Sequence, residues 1–313
     1  MNSIGGYFEL ELNRGIEYHF NAIKLNSGRN ALQYILMAGE YQRIFIPLYT
    51  CDVLLHAVKK TGVDFEFYSI NQELEPIFDF SNLSLNDAFL YTNYFGLKDD
   101  YIQELRPKCK NLIIDNAQSF YSAPLPLTDT FYSPRKFFGV PDGGYLYTAR
   151  KIKQKLVKDI SFERFEHLLK RIDLSPEAGY SSFCSNDKML DNQAILEMSN
   201  LTEAILSSID YTQIARRRRE NFLYLKTILQ NSNQLKIYLN ESQVPMVYPY
   251  LPGTGGLRNK LIDNKIYTAQ YWPNVLEWAD KNSLEFMFAS QIIPLPIDQR
   301  YTTTDLEKYL TLI

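Results

Sequence analysis

The chain has 313 residues, of which 45% are hydrophobic and 22% are charged, and its formal net charge is −3. This composition is ordinary for a globular protein, and the length is sufficient for one large domain and a smaller one. Because the chain has no excess of basic residues, we expect no nucleic-acid partner.

The three cysteines and three histidines are widely scattered, a pattern that offers neither a disulfide framework nor a zinc site. No apolar run approaches the roughly 18–20 residues of a membrane span. The first residues also lack the basic start and apolar stretch of a signal peptide. We therefore expect a cytoplasmic protein with no membrane contact.

The first half alternates short apolar runs with helical patterns. The predicted strands are Arg43–Tyr49, Asp64–Ile70, Ala88–Tyr94 and Asn111–Ile114, all rich in aromatic and β-branched residues. The predicted helices are Asn30–Ala38, Asp52–Thr61 and Asp99–Lys108. This alternation predicts a mainly parallel sheet covered by helices, with ligands beyond the carboxyl ends of its strands.

After Thr148 the pattern changes to a helical second half. The predicted helices are Lys151 to about Leu169, a broken stretch over Met189–Leu229, Leu257–Asn264 and a final helix from Thr304. The predicted strands are Leu235–Leu239 and Val244–Tyr250, followed by a turn at Gly253–Gly256. We interpret the basic run Arg216–Glu220 as a solvated helix face. The division predicts a large α/β domain over residues 1–205 and a small α+β domain over 206–313.

Three segments contain residues suited to chemistry. Asp115 follows an apolar strand, with Gln118 three residues later, and an acid at that end of a strand is well placed for a ligand; the alternative is a helix N-cap. Lys136 lies among Phe131, Tyr132, Phe137 and Phe138. An apolar surround disfavours the charged ammonium and suits Schiff-base chemistry, although most loop lysines are simply solvated.

The third segment is Ser27–Leu32, which opens the first predicted helix. Free N–H groups at such a start favour a phosphate. The three segments in this order are what pyridoxal phosphate (PLP) requires: a phosphate cradle, an acid at the pyridine nitrogen and an imine-forming lysine.

The sequence resembles fold-type-I PLP enzymes, and in particular the DegT/DnrJ/EryC1/StrS family of sugar aminotransferases, over nearly its whole length. The segments that resemble the family's motifs are Ser27–Leu32, Ile46–Ile70, Asn93–Gly96, Asp115–Gln118, Lys136–Gly144, Asn186–Met189 with Gln193-Ala194, Leu257–Ile266, Tyr271–Pro273 and Pro294–Pro296. Each segment is short, and the order that they share carries the resemblance.

The resemblance implies a PLP cofactor held as a covalent aldimine on Lys136. It implies that Asp115 pairs with the pyridine nitrogen and that Gln118 orients the ring. The phosphate would contact Gly28, Arg29, Asn30 and Ser133. Asn186 would reach the phosphate of a neighbouring subunit, which implies a homodimer with shared active sites.

Four positions depart from the family's pattern. The family's phosphate-binding serine usually stands five residues before the lysine, where this chain has Phe131, and Ser133 stands three residues before Lys136. Arg29 replaces a threonine, and an arginine can hold phosphate in a bidentate way. Cys51 replaces the aromatic residue that stacks on the cofactor ring, which leaves Tyr49 or Tyr94 as its candidate substitute. Arg135 has no counterpart, and its interpretations are a surface charge or a contact to a substrate phosphate.

The resemblance implies transfer of an amino group, with glutamate as the expected donor, to a keto-sugar that is expected to be nucleotide-linked. The family-level expectation is a role in polysaccharide or antibiotic-sugar biosynthesis. Two alternatives stay open. One is a lyase or aldolase reaction on the same fold, because the cofactor performs the chemistry and the pocket selects the bond. The other is a non-catalytic relative, which the changes at Arg29 and Cys51 favour.

Overall fold

A computed structural model describes residues 4–253 and 255–313. Within these residues, one sheet has eight strands. They are β1 (Ile23–Leu25), β2 (Arg43–Pro47), β3 (Asp64–Ile70), β4 (Pro76–Ile77), β5 (Asp87–Thr92), β6 (Leu112–Asn116), β7 (Asp129–Tyr132) and β8 (Gly144–Tyr147). Their spatial order is β1-β8-β7-β6-β5-β2-β3-β4. A separate antiparallel pair consists of β9 (Val247–Tyr250) and β10 (Ile293–Pro296).

The helices connect and cover the strands. They are α1 (Gly28–Ala38), α2 (Asp52–Thr61), α3 (Asp99–Leu105), α4 (Glu166–Asp173), α5 (Pro176–Asp191), α6 (Asn200–Ser207), α7 (Tyr211–Leu229), α8 (Leu257–Asp263), α9 (Val275–Trp278), α10 (Leu284–Gln291) and α11 (Thr303–Leu310). None of those in the described ranges is long and apolar enough to cross a membrane.

The central strands are parallel, from β3 through β2, β5 and β6 to β7. Their side chains alternate between two cores, because successive residues of a strand point to opposite faces. On β5, for example, Phe89 and Tyr91 enter one core, whereas Ala88 and Leu90 enter the other. Burial on both faces explains why these strands are almost continuously apolar.

A third core lies in the C-terminal part of the chain. It packs α7, α8 and α11 against β9 and β10, with Phe222, Tyr248 and Leu295 fully buried. These elements form an α+β layer distinct from the large sheet, as the sequence predicts. The boundary at residue 205 stays a prediction.

The structure confirms the four strands and two of the helices predicted in the first half, and it shortens the third helix. That helix ends at Leu105, because Pro107 has no N–H for an α-helical hydrogen bond and the chain continues as a 3₁₀ turn. The long stretch over 189–229 is indeed broken, into the end of α5, α6 and α7.

Several predictions for the second half are wrong. Leu235–Leu239 forms no strand; Leu235 packs into a core, and the chain next to it makes one backbone hydrogen bond, from Gln234 to Leu251 at the end of β9. Most of Lys151–Leu169 is not helical; residues 157–159 run beside Glu197 instead. The sequence reading missed β1, β7, β8 and β10, which are only three or four residues long. The predicted turn at Gly253–Gly256 includes Thr254, which lies outside the described residues.

The start of α1 is fixed against β8 by close backbone contact. Gly143 donates its N–H to the carbonyl of Asn26 at 2.7 Å. A Cβ atom on Gly144 would lie 2.5 Å from the carbonyl carbon and oxygen of Ser27 and 2.8 Å from the nitrogen of Gly28. Only glycine therefore lets β8 approach the first residues of α1.

We expect Gly144→Ala to lower the free energy of unfolding by about 1–3 kcal/mol, because the added methyl group meets backbone that cannot rotate away. Urea unfolding measures this change. Gly139→Ala is the matched control, since its Cβ would meet only the Leu168 side chain at 3.5 Å. Equal stability of the two variants would contradict the close approach.

Candidate functional site

Parallel pairing of β6 with β7 sets the geometry of the candidate site. Asp115 is aligned with Phe131 and Asn116 with Tyr132. The chain then leaves β7 through Ser133 into a 3₁₀ turn over Pro134–Lys136. Asp115 and Lys136 are thereby brought to the same carboxyl edge of the sheet, the edge at which parallel α/β sheets bind ligands.

Asp115 is almost completely buried, with 6% of its surface exposed. Its Oδ1 accepts a hydrogen bond from the Ala117 N–H at 2.8 Å. The other carboxylate oxygen accepts none from the described part of the chain. Burial raises the pKa of Asp115, and the nearby positive charge of Lys136 opposes that rise. The carboxylate is thus a buried anion whose available counter-charge is Lys136.

The Lys136 side chain is exposed and pairs with no carboxylate within residues 4–253 and 255–313. Burial raises the pKa of both Asp115 and Cys51, and the positive charge of Lys136 opposes that rise at each group, so Lys136 is close enough to act on both. The expected apolar surround is wrong: Phe137 and Phe138 turn into the core beside Phe120, and Lys136 itself is exposed.

The N-terminus of α1 lies beside Ser133. The Ser27 hydroxyl accepts the Asn30 N–H at 3.2 Å, which leaves the N–H groups of Gly28 and Arg29 without a helical partner. The Cβ position of Gly28 is 3.6 Å from Cβ of Ser133. Two backbone donors and one hydroxyl therefore lie together at the positive end of a helix dipole, which suits a phosphate.

Two of the predicted phosphate contacts are used within the protein. The buried Asn30 amide donates to Oδ1 of Asn26 and to the carbonyl of Ala194, both at 2.8 Å. The Arg29 guanidinium forms an ion pair with Asp191 and lies 3.9 Å from Asp187. The structure thus gives the side chains of these residues a role in joining α1 to α5 and its C-terminal extension.

Arg135 belongs to the same charged group. Its guanidinium is 3.1 Å from Asp187, and burial lowers its pKa. The side chain is 15% exposed, so it is not a solvated surface charge. It points to α5, away from Asp115, and Asp187 links it to Arg29.

Gln118 lies on the other side of the site. Its Oε1 accepts the Phe95 N–H at 2.8 Å, while its buried Nε2 has no hydrogen-bond partner in the described residues. Phe95 has a φ of 60°, an unusual value for a residue with a side chain. Gln118 is therefore fixed at one end and retains a free donor at the other.

Cys51 precedes α2, and burial raises its pKa to about 11, so the thiol stays protonated at neutral pH. Tyr49 and Tyr94, the candidate aromatic substitutes, are both fully buried, and their rings stack on each other at 5.6 Å. The Tyr94 hydroxyl donates to the carbonyl of Tyr49 at 2.9 Å. Which residue would stack on a cofactor ring stays a prediction.

Asn186 is 2% exposed and donates its amide to the carbonyl of Pro141 at 2.9 Å. Its buried Oδ1 has no partner among the residues described. Asn186 is thus held by the loop between Lys136 and β8. Its contact shown here is to this loop and not to the proposed phosphate site of Gly28, Arg29 and Ser133.

The sequence reading missed Arg218 and Gln299, which contact the residue after Lys136. Arg218 is 2% exposed, so the interpretation of Arg216–Glu220 as a uniformly solvated face is wrong. A signal was available: Arg218 lies four and seven residues before the buried Phe222 and Leu225, on the same face of α7. Arg216 and Arg217, in contrast, are exposed beside Glu220.

The sequence matches no family profile and no curated protein. Solved structures do match the fold. A DegT DnrJ EryC1 StrS aminotransferase from Brucella abortus is 15% identical, with a TM-score of 0.60 over 93% of this chain and 84% of that one. DesI, solved in the presence of its TDP-sugar product, is also 15% identical, with a TM-score of 0.63 over 93% and 79%.

NtdA from Bacillus subtilis, solved with bound cofactor PMP, is 17% identical, with a TM-score of 0.60 over 93% of this chain and 73% of that one. At these identities the likeness establishes the fold. The mixed α/β architecture expected from the sequence is confirmed, and it is the fold of these aminotransferases.

Proposed function

We propose that the protein is a PLP-dependent aminotransferase that transfers an amino group from an amino acid, with glutamate as the donor, to a keto-sugar. The observation that carries the proposal is the placement of Lys136 and the buried Asp115 within electrostatic reach of each other at the carboxyl edge of the sheet. The shared fold with sugar aminotransferases supports it.

The residues present fit PLP. The N–H groups of Gly28 and Arg29 and the Ser133 hydroxyl would hold its phosphate at the start of α1. Asp115 has a carboxylate oxygen free for the ring nitrogen, and the unpartnered Nε2 of Gln118 can donate to a polar group of the ring. Lys136 supplies the amine that attaches the cofactor covalently.

When bound, PLP supplies an electron sink for the substrate carbon that loses a proton. Asp115 would keep the ring nitrogen protonated, because a carboxylate is a strong hydrogen-bond acceptor for a cationic N–H. Lys136 would hold the proton removed from the substrate carbon and return it, which requires a neutral amine within reach of that carbon.

The substrate proposal rests on the solved relatives. DesI was solved with a TDP-sugar product, so we propose a nucleotide-linked sugar for this chain, in a pathway that makes a polysaccharide or an antibiotic sugar. All three cysteines are free, which agrees with our proposal of a cytoplasmic location.

A non-catalytic relative is the second candidate. The ion pairs of Arg29 with Asp187 and Asp191 and the lack of an exposed aromatic ring at Cys51 favour it. The two candidates, and a lyase or aldolase reaction, differ in how the protein responds to PLP and to an amino donor.

We also propose a homodimer with shared active sites. Large apolar side chains are exposed on and beside the α4–α5 hairpin: Phe162, Leu169, Ile172, Leu174, Tyr180 and Phe183. Apolar patches of this kind are rare on monomers and mark interaction surfaces. The hairpin is continuous with Asn186, so a second copy covering it would lie next to the site.

Incubation of the protein with PLP should produce a visible absorption band that borohydride abolishes. Lys136→Ala should lack the band, because Lys136 is the amine whose charge acts on Asp115. Lys60→Ala is a matched control, since Lys60 lies on α2 and donates to the carbonyl of Asp191. Uptake of no PLP by the wild-type protein would favour the non-catalytic candidate.

Addition of glutamate to the PLP-loaded protein should bleach the visible band, because the amino group passes to the cofactor in the first half of the reaction. Stopped-flow absorbance measures the rate. A keto-sugar should then restore the band. A band unchanged by glutamate and by every other amino acid tested would contradict the aminotransferase assignment.

Ile172→Asp should convert a dimer to a monomer, because Ile172 is 81% exposed in the isolated chain and a buried, unpaired charge at an interface is costly. Light scattering coupled to size-exclusion chromatography measures the mass. Ile77→Asp, at a residue 60% exposed on β4, is the control and should leave the mass unchanged. A wild-type monomer at high protein concentration would contradict the dimer.

A further inference from the structure

Arg218 is a buried cation with an unusual set of partners. It comes from α7 of the C-terminal layer, and its side chain is among the largest that are fully buried. No carboxylate in the described part of the chain lies within ion-pair distance of it. Burial lowers its pKa to about 10, so it stays protonated at neutral pH. Burying such a cation is costly unless hydrogen bonds compensate for the lost water.

One end of the guanidinium contacts the turn that carries Lys136. It lies over the Phe137 ring, 4.6 Å from the ring centre, and donates to the Phe137 carbonyl at 3.4 Å. Gln299 donates to the same carbonyl at 2.8 Å and accepts from Nε of Arg218 at 3.1 Å. Both the ring and the carbonyl of the residue after Lys136 are therefore fixed by the C-terminal layer.

The other end of the guanidinium is linked to Gln118 through a chain of three hydrogen bonds. Arg218 donates to the carbonyl of Met246 at 2.9 Å, and the N–H of Met246 donates to the carbonyl of Phe95 at 2.9 Å. The N–H of Phe95 in turn donates to Gln118 at 2.8 Å. These hydrogen bonds to the N–H and carbonyl of Phe95 explain how its positive φ of 60°, an unfavourable value for a residue with a side chain, is maintained.

We infer that Arg218, with Gln299, is a positioning residue that sets the placement of Lys136 relative to Gln118. The inference rests on the proposed function, since it gives these residues a role in attaching PLP. Arg218 touches neither the cofactor site nor Lys136 itself, and it acts through the backbone of Phe137 and of Phe95. The C-terminal layer would thus complete a site whose proposed cofactor-binding residues all lie between Gly28 and Asn186.

The test compares Gln299→Leu and Arg218→Gln with Arg216→Gln. Arg216 is a matched control because it belongs to the same basic run, is 70% exposed and pairs loosely with Glu220 at 3.8 Å, a contact of little energetic value. Gln299→Leu guards against loss of folding, because it removes no buried charge. For each full-length variant, we would measure total PLP bound, the rate of covalent attachment to Lys136 by borohydride trapping, and the melting temperature.

We expect Gln299→Leu to slow covalent attachment about tenfold and Arg218→Gln about 100-fold, since a displacement of about 1 Å can cost that much. PLP bound through the α1 cradle should change little in Gln299→Leu, and Arg216→Gln should match the wild type. In turnover, Gln299→Leu should lower kcat more than it raises KM.

Attachment rates of both variants within twofold of Arg216→Gln would overturn the inference while leaving the proposed function intact. A loss of attachment that only follows a lower melting temperature would overturn it too, because the role would then be stability alone. A wild-type protein without covalent PLP would overturn the proposed function and this inference together.

Discussion

The parallel alignment of β6 with β7 is the constraint on which the site depends. It fixes Asp115 beside Phe131, and five residues later the 3₁₀ turn presents Lys136 at the same edge. Because parallel strands need long crossover connections, this pairing requires the whole α/β layer to be in place. The anion and the cation of the site are therefore positioned by the fold and not by local sequence.

The residues proposed to bind the phosphate are placed near Asp115 and Lys136 by close backbone contacts. The Ser27–Gly28 segment reaches the site because Gly144 has no side chain, and Ser133 lies beside Gly28 because β7 ends there. Arg29, Arg135, Asp187 and Asp191 then connect the cradle, the lysine turn and α5 through ion pairs that are partly buried. Arg29, which departs from the family's pattern, thus links α1 to α5 through its side chain. The backbone N–H groups of Gly28 and Arg29 stay available for a phosphate.

The sequence predicted the parts of the fold that depend on local pattern. The apolar strands and the alternation of strands and helices carry strong periodic signals. The site residues Asp115, Gln118 and Lys136 are predicted from their order along the chain. Short strands such as β1 and β10 were missed, since three or four residues show too little periodicity. The apolar surround predicted for Lys136 was wrong, because the direction in which Phe137 and Phe138 turn is decided by tertiary packing with Phe120. The burial of Arg218 was not predicted, because the basic run Arg216–Arg219 as a whole indicates a solvated helix face.

The central claim is that Lys136 is the amine that attaches PLP opposite Asp115. Peptide mapping tests it most directly: the protein is loaded with PLP, reduced with borohydride and digested, and mass spectrometry locates the added pyridoxyl group. The account predicts the modification on the peptide that contains Lys136, with little elsewhere, and a loss of that selectivity in Asp115→Ala. A modification spread over several surface lysines, or concentrated on a lysine other than Lys136, would contradict it.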